Sequence, residues 1–361
     1  MKKHELDPSH FGLLKSLDEF ARNSGSSIRD ADTHEELFQT LRQQLDEHLA
    51  HGTRVSGFHV ESLFAYVAAS IGKCELISEE DSGALYTSSE DVRRPDFRIV
   101  TKSGEQFLVE VKNFYQKNSP TKKFEINGCY LRSLKSYAKQ NNVPLKLAIF
   151  WSSWGKWTLI DTEKLDCSQK KLRFGLGDAY AQNEMLLLGD HWVGLTPPLS
   201  VRLFADMSKS TKIDDDGMAK VFFKRLCLCA NGVEITNPIE KAIAWFLIQN
   251  GNWSRVENSA KVTNNSLDYT ATQFFTEESN GELPFNIVGM MSDMLSLQCR
   301  RLVTKDGEIR NLIPQPNSER MAPLIPDGYS GDVLKLEKIS IQPNSNLLKK
   351  ISDRPGRNFI G

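Results

Sequence analysis

Apolar residues near the start of the chain recur every three to four positions, which is the spacing of an amphipathic helix. The first helix is predicted to begin at Asp7-Pro8, a capping residue followed by proline, and to end at Gly25. A capping box at 33–36 opens a second helix, whose apolar stripe is Leu37, Leu41, Leu45 and Leu49. We expect both helices to pack on the elements that follow. A third helix is predicted from about Phe58 to Ile71.

Between residues 73 and 161 the pattern changes to the alternation and β-rich composition of strands. The predicted strands are 73–78, 84–87, 96–100, 107–112, 147–151 and 157–161. The turn at 101–104 joins two of them into a hairpin. A helix is predicted at about 126–140, before the buried strand at 147–151. This part of the chain is therefore predicted to be an α/β unit.

The remainder mixes strands and helices. Its predicted strands are 186–188, 199–204 and 221–229. A helix is predicted from Pro238 to Asn250 behind the cap Asn237, and another from about Asn286 to Leu302. The latter precedes a short hairpin, an order compatible with a winged-helix DNA reader and equally with an α+β packing domain. In a winged helix, the residues near phosphates would be Arg300, Arg301, Lys305 and Arg310.

These patterns divide the chain into four parts. Residues 1–57 form an N-terminal helical segment and 58–165 an α/β core. Residues 166–342 form an α+β domain for substrate or partner, and 343–361 form a tail with proline, glycine and exposed bases.

Composition narrows the class of protein. The 361 residues carry 45 Lys and Arg against 46 Asp and Glu, a net charge of -1, so a wholly basic nucleic-acid coat protein is excluded. No apolar run is long enough to span a membrane, and the first residues lack the apolar stretch of a signal peptide. We expect a cytoplasmic protein. The six cysteines do not form a zinc-binding pattern.

The hairpin carries the candidate chemistry. Asp96 begins one strand, and Glu110 and Lys112 project from one face of the other, while Val109 and Val111 enter the core. Two carboxylates that converge repel each other unless a cation lies between them, and hard oxygen ligands suit Mg²⁺ or Mn²⁺. Lys112 would then hold a water molecule or a phosphate oxygen.

Charge is segregated around this hairpin. Residues 111–146 contain eight lysines and arginines against one glutamate, a net charge of +7, whereas 59–96 carry a net charge of -5. An acidic metal pocket beside a basic flank suits the cleavage of a phosphodiester, because the flank binds the backbone. We expect the following lysines to contact nucleic acid: Lys117, Lys122, Lys123, Lys135 and Lys139.

Pro95-Asp96, thirteen intervening residues and Glu110-Val111-Lys112 resemble the motif of the PD-(D/E)xK, or restriction-endonuclease-like, nuclease superfamily. The resemblance implies a core in the order helix, three strands, helix, strand, within about 58–161. It also implies that Asp96, Glu110 and the Val111 carbonyl bind Mg²⁺, with Mn²⁺ as an alternative, and that Lys112 orients the attacking water.

Two further positions depend on this resemblance. From the residues alone Glu61 is interpreted as a solvated charge, but by the resemblance it matches the acidic residue that many members place on the first core helix; its competitors are Glu79, Glu80 and Asp81. Tyr137 matches the helix tyrosine of RecB-type nucleases, but Ser133 stands where that subgroup has glutamine.

The resulting hypothesis is a Mg²⁺-dependent endonuclease that cleaves DNA. The resemblance favours restriction or anti-phage defence, because such nucleases often carry an appended domain and no motor. Its partners would be DNA and either a protein partner or a second copy of the chain. Two alternatives stay open, an inactive nuclease fold that serves as a nucleic-acid-binding scaffold and an RNA-cleaving nuclease.

Overall fold

A computed structural model describes residues 12–50, 52–80, 85–88, 91–116, 121–277, 284–306, 308–312, 324–326 and 328–343. The helices are α1 (Leu13–Ser24), α2 (Ala31–Ala50), α3 (Gly52–Ile71), α4 (Gly128–Asn141), α5 (Leu176–Ala181), α6 (Pro238–Asn250) and α7 (Met291–Val303). The strands up to residue 174 are β1 (Cys74–Glu79), β2 (Phe97–Thr101), β3 (Gln106–Phe114), β4 (Phe124–Asn127), β5 (Leu145–Trp151), β6 (Lys156–Asp161) and β7 (Lys171–Phe174).

The later strands are β8 (Trp192–Leu195), β9 (Leu199–Ala205), β10 (Phe223–Ala230), β11 (Val233–Glu234), β12 (Arg255–Thr263), β13 (Ser266–Phe275), β14 (Asn286–Met290), β15 (Thr304–Lys305), β16 (Glu308–Ile309) and β17 (Leu336–Ile339). The protein is therefore of the mixed α/β class. No helix among the described residues is long and apolar enough to cross a membrane.

The central sheet has the strand order β1-β2-β3-β5-β6. Only β3 and β5 within it are parallel, because the chain crosses over through β4 and α4 between them. The elements therefore follow one another as a helix, three strands, a helix and a strand, with β4 inserted before α4. The predicted helix at 58–71 and the hairpin of β2 and β3 are confirmed.

Two hydrophobic clusters enclose this sheet. On one face Val109 and Val111 pack with Phe64 of α3. On the other face Leu108 packs with Leu131 of α4. Strand β3 is consequently buried on both faces, so that any polar side chain on it before the strand end is removed from water.

The larger cluster continues into the C-terminal elements. It joins Phe64 to Ile243 of α6, Leu295 of α7 and Leu199 of β9. Residues beyond 165 therefore complete the hydrophobic cover of α3. The helix predicted from Pro238 to Asn250 is confirmed, and Asn237 caps it by accepting from the backbone N–H of Ile239 at 2.8 Å.

Four predictions of local structure are wrong. Of the strand predicted at 84–87, the described residues 85–87 form no strand, since β1 pairs directly with β2 and Tyr86 is 93% exposed; Ala84 lies outside the described residues. Residues 186–188 belong to a 3-10 turn. The segment 286–290 is strand β14, which pairs with β8, and α7 begins only at Met291. The stripe of α2 does not pack as expected, since Leu41, Leu45 and Leu49 are exposed and only Leu37 is buried.

Helix α7, the expected recognition helix of a winged-helix reader, has a buried face formed mainly by Met294, Leu295 and Cys299. The Arg300 guanidinium lies 5.6 Å from the centre of the Phe150 ring, and Arg301 donates to the Gln249 carbonyl. Both arginines are thus engaged with the chain itself. The predicted tail, apart from Pro343, lies outside the described residues.

The start of α7 depends on the buried carboxylate of Asp190. It accepts from the Ser292 N–H at 2.9 Å and from the Ser292 hydroxyl at 2.6 Å. Burial raises the pKa of Asp190 from 3.8 to about 7 in spite of these bonds. Because the folded protein holds this proton more tightly than the unfolded chain, the contribution of Asp190 to stability is complete below pH 3.8 and is lost as the pH rises to about 7.

Replacement of this carboxyl should flatten that dependence. In Asp190→Asn the free energy of unfolding, measured with denaturant, should fall less between pH 4 and pH 7 than in the parent protein. Asp206→Asn is the control, because Asp206 also accepts from the N–H and the hydroxyl of a serine, Ser208, but at a position that is not buried. An unchanged slope in Asp190→Asn would contradict the prediction.

Candidate metal and phosphodiester site

The open end of the hairpin brings the two predicted carboxylates together. Phe97 of β2 pairs with Val109 of β3. The next residue toward the open end of the hairpin is Asp96 on one strand and Glu110 on the other. One Asp96 oxygen accepts a hydrogen bond from the backbone N–H of Val111 at 2.6 Å. The backbone of β3 thereby fixes the Asp96 side chain beside Glu110.

Glu110 is 1% exposed, which is unusual for a carboxylate. Its Oε1 accepts from the ammonium of Lys112 and from the hydroxyl of Tyr130. Its Oε2 is buried and has no hydrogen-bond partner in the described part of the chain. The Lys112 ammonium also donates to the Val111 carbonyl at 3.1 Å.

Burial and like charges control the protonation of this cluster. Burial, followed by the negative charge of Glu110 and more weakly that of Glu61, raises the pKa of Asp96 to about 7. Burial by itself lowers the pKa of Lys112, but the attraction of Glu110 and of its other neighbours outweighs burial and raises that pKa above its usual range. Lys112 therefore keeps its ammonium charge, and Asp96 holds its proton more tightly than an isolated carboxyl because of burial and of the neighbouring carboxylates.

Tyr130 completes the cluster, and it was absent from our sequence-based candidates. The Asn127 side chain caps α4 by accepting from the backbone N–H groups of Cys129, at 2.8 Å, and Tyr130, at 3.4 Å, and so places Tyr130 in the first turn. Cationic groups of Arg93 and Lys112 each lie 5.3 Å from its ring centre. The feature of the sequence that could have identified Tyr130 is its position two helical turns before Tyr137 on the same helix.

The donor atoms fit a hard divalent cation. The described residues contain no group of three His, Cys, Asp or Glu side chains that could hold a metal. The site instead offers Asp96, the partnerless Oε2 of Glu110 and the Val111 carbonyl. Mg²⁺ is commonly bound by one or two carboxylates together with several waters, so this incomplete set is chemically suitable.

The structure also separates the candidates for a further acid. Glu61 on α3 lies close enough for its charge to raise the pKa of Asp96. Glu80 is held elsewhere, because it accepts from Arg98 at 2.5 Å and from the Tyr137 hydroxyl at 2.6 Å. Glu79 is exposed on β1, and Asp81 lies outside the described residues. Tyr137 therefore contacts Glu80, whereas Ser133 donates to Asp91.

A groove of about 1150 Å³ opens beside Lys112 and Tyr130. Its wall includes the cationic side chains Arg93, Lys112, Lys122, Lys123 and Arg173. The acidic side chains in its wall are Asp91 and Glu125, and Glu125 is paired with Lys171 and Arg173. The groove is therefore predominantly basic.

The five lysines expected to bind nucleic acid fall into three groups. Lys122 and Lys123 line the groove. Lys135 forms an ion pair with Glu163 at 3.1 Å, and Lys139 is exposed in the last turn of α4; neither belongs to the groove wall. Lys117 lies outside the described residues.

Comparison with known proteins adds little to this description. Neither a protein-family model nor a curated protein sequence matches the chain. Among solved structures, it is similar to Hjc, a Holliday junction resolvase from the archaeal hyperthermophile Archaeoglobus fulgidus, with 12% sequence identity and a TM-score of 0.24 over 32% of this chain and 87% of that chain. A similarity this weak carries no argument about the activity of this chain.

Loss of the Tyr130 hydroxyl should destabilise the fold. In Tyr130→Phe the buried Glu110 keeps, among the described residues, only Lys112 as a hydrogen-bond partner, so the free energy of unfolding should fall by about 1–3 kcal/mol. Tyr137→Phe is the matched control on the same helix, because it removes a bond to Glu80, which keeps its pair with Arg98. Denaturant titration should show the smaller loss in the control, and equal losses would contradict the role of Tyr130.

Proposed function

We propose that the chain is a metal-dependent nuclease that hydrolyses phosphodiester bonds of DNA. One observation carries the proposal: Asp96, the buried partnerless oxygen of Glu110, the Val111 carbonyl and the Lys112 ammonium meet where β2 begins and within β3, at the open end of the hairpin. This is a cation-binding set of hard oxygens with a fixed cationic donor next to it.

Each residue has a definite task in this proposal. Asp96, Glu110 and the Val111 carbonyl hold Mg²⁺, or Mn²⁺ in its place. When bound, the ion supplies positive charge at the scissile phosphate and acidifies a bound water. The Lys112 ammonium orients the attacking water and neutralises developing negative charge.

Tyr130 and Glu61 act on the site less directly. Tyr130 is a positioning residue, since its hydroxyl fixes one oxygen of Glu110 and leaves the other for the cation. Glu61 adds negative charge near Asp96, which strengthens the attraction of a cation.

The surroundings of the site support a polyanionic substrate. The basic groove leads away from Lys112 and offers Lys122 and Lys123 to a phosphate backbone. The order of helix, three strands, helix and strand supports the resemblance to PD-(D/E)xK nucleases. That resemblance favours a DNA endonuclease in restriction or anti-phage defence.

A second function is a nucleic-acid-binding scaffold without catalysis. The observation in its favour is that the Lys112 ammonium already bridges Glu110 and the Val111 carbonyl, two of the groups that would hold the ion. A scaffold would bind DNA through the same groove but would not cleave it, with or without a metal ion.

Metal-dependent cleavage should disappear when the carboxylates are neutralised. Asp96→Asn and Glu110→Gln keep the shape of each side chain but weaken the cation site, so cleavage of plasmid DNA with Mg²⁺ should fall by at least about a hundredfold. Glu105→Gln, in the turn that joins β2 to β3 at the other end of the hairpin, should retain full activity.

Circular dichroism should show that all three variants are folded. Parallel assays with RNA and with EDTA separate DNA cleavage from RNA cleavage and from a metal-independent contaminant. Full activity in Asp96→Asn or Glu110→Gln would refute the site, and absence of cleavage in the parent protein together with tight DNA binding would favour the scaffold.

Removal of two groove lysines should reduce the salt dependence of DNA binding. In the Lys122→Ala, Lys123→Ala double variant the slope of log affinity against log salt should flatten by roughly one to two units, because fewer counterions are released. The Lys135→Ala, Lys139→Ala double variant removes the same charge outside the groove and is the matched control. A flatter slope in the control alone would place the DNA path along α4 instead.

A further inference from the structure

The hairpin of β12 and β13 forms one margin of the second sheet, whose strand order is β11-β10-β9-β13-β12. Its turn is made by Asn264 and Asn265, with φ of 50° and 59°, the left-handed conformation of a tight two-residue hairpin turn. All nine residues of β12 are exposed, from Arg255 to Thr263. The strand is thus long and open along its outer edge in the described part of the protein, with one irregularity in its pairing with β13, between Lys261 and Val262.

An edge strand of this kind presents unpaired backbone N–H and C=O groups, which can pair with another strand. Two valines lie on it with large exposed fractions, Val256 with 52% and Val262 with 47%. Exposed valines on an edge strand favour the addition of a further strand, because that strand would cover their side chains from water.

The sequence of β12 is complementary to itself in the antiparallel direction. The pairing that uses all nine residues is centred on Ser259, which would lie opposite its own copy. It places the pairs as follows: Arg255 with Thr263, Val256 with Val262, Glu257 with Lys261, and Asn258 with Ala260. By symmetry each pair occurs twice, giving two acid–base pairs and two valine pairs.

The neighbouring registers lack this agreement. A shift by two residues in one direction places Arg255 opposite Lys261, two like charges. A shift in the other direction places Glu257 opposite Thr263 and leaves its charge without a partner across the interface. The centred register is therefore the one in which charge and apolar pairs both match.

We propose that two copies of the chain associate through β12, in an antiparallel pairing with a two-fold axis at Ser259. The two five-stranded sheets would become one continuous sheet, and the interface would be isologous, with the same surface on both copies. An unpaired lysine on an edge strand discourages strand addition, but in this pairing Lys261 would lie opposite Glu257 of the second copy. The inference is independent of the proposed nuclease activity.

Charge reversal tests this pairing by sedimentation analysis over a wide range of protein concentration. Lys261→Glu and Glu257→Lys each place like charges opposite one another twice, so each should weaken self-association by at least about tenfold. The double variant carries both reversals, restores the opposite pairs and should associate like the parent. An equal mixture of the two single variants should associate as well, because each copy then supplies what the other lacks.

A cross-link tests the position of the axis. Ser259→Cys should form a disulfide-linked dimer under mild oxidation, and the parent protein, which retains its native cysteines, is the control. Lys209→Glu, an exposed charge reversal outside β12, should leave association unchanged.

Three outcomes would overturn the proposal: a parent protein that stays monomeric at every concentration, single variants that associate as strongly as the parent, or a double variant that is not restored. Circular dichroism of each variant distinguishes lost association from lost folding. If the double variant folds poorly, the mixture of the two single variants tests the same charge pairing: a mixture that associates supports the proposal, and one that does not contradicts it.

Discussion

The buried carboxylate of Glu110 is the constraint on which the site depends. Its strand is covered on both faces, by α3 on one side and α4 on the other, so that the side chain cannot reach bulk water. Removing such a charge from water costs several kcal/mol unless it is paired and hydrogen-bonded. Lys112 and Tyr130 satisfy one oxygen of Glu110, and the other oxygen has no described partner.

The neighbouring elements are arranged around that charge. The parallel crossover from β3 to β5 brings α4 back over the strand, and the Asn127 cap fixes the turn that carries Tyr130. Antiparallel pairing of β2 with β3 sets Asp96 beside the carboxylate, where the Val111 N–H holds it. The convergence of the two carboxylates is therefore a product of ordinary sheet and helix geometry.

The C-terminal half contributes to this arrangement from a distance. Its residues join the hydrophobic cluster that covers α3, which carries Glu61, so they help to hold the helix against the sheet. Its second sheet ends in an open strand on the surface. The same half therefore supports the core and exposes the edge strand β12.

Short-range patterns in the sequence determined much of the local structure. Helical spacing and the Asn237 cap predicted α3 and α6, and the alternation around a turn predicted the hairpin that carries Asp96 and Glu110, because these features act within a few residues. The same reasoning was wrong at 286–290, where pairing with β8 makes a strand of residues assigned to a helix. It was also wrong at 85–87, for which no strand among the described residues offers a partner. Only the tertiary structure decided that Tyr130 reaches Glu110 and that Glu80 is held by Arg98. It also decided that the rest of the α2 stripe, Leu41, Leu45 and Leu49, stays exposed. These outcomes depend on contacts between segments far apart in the chain, which no local pattern encodes.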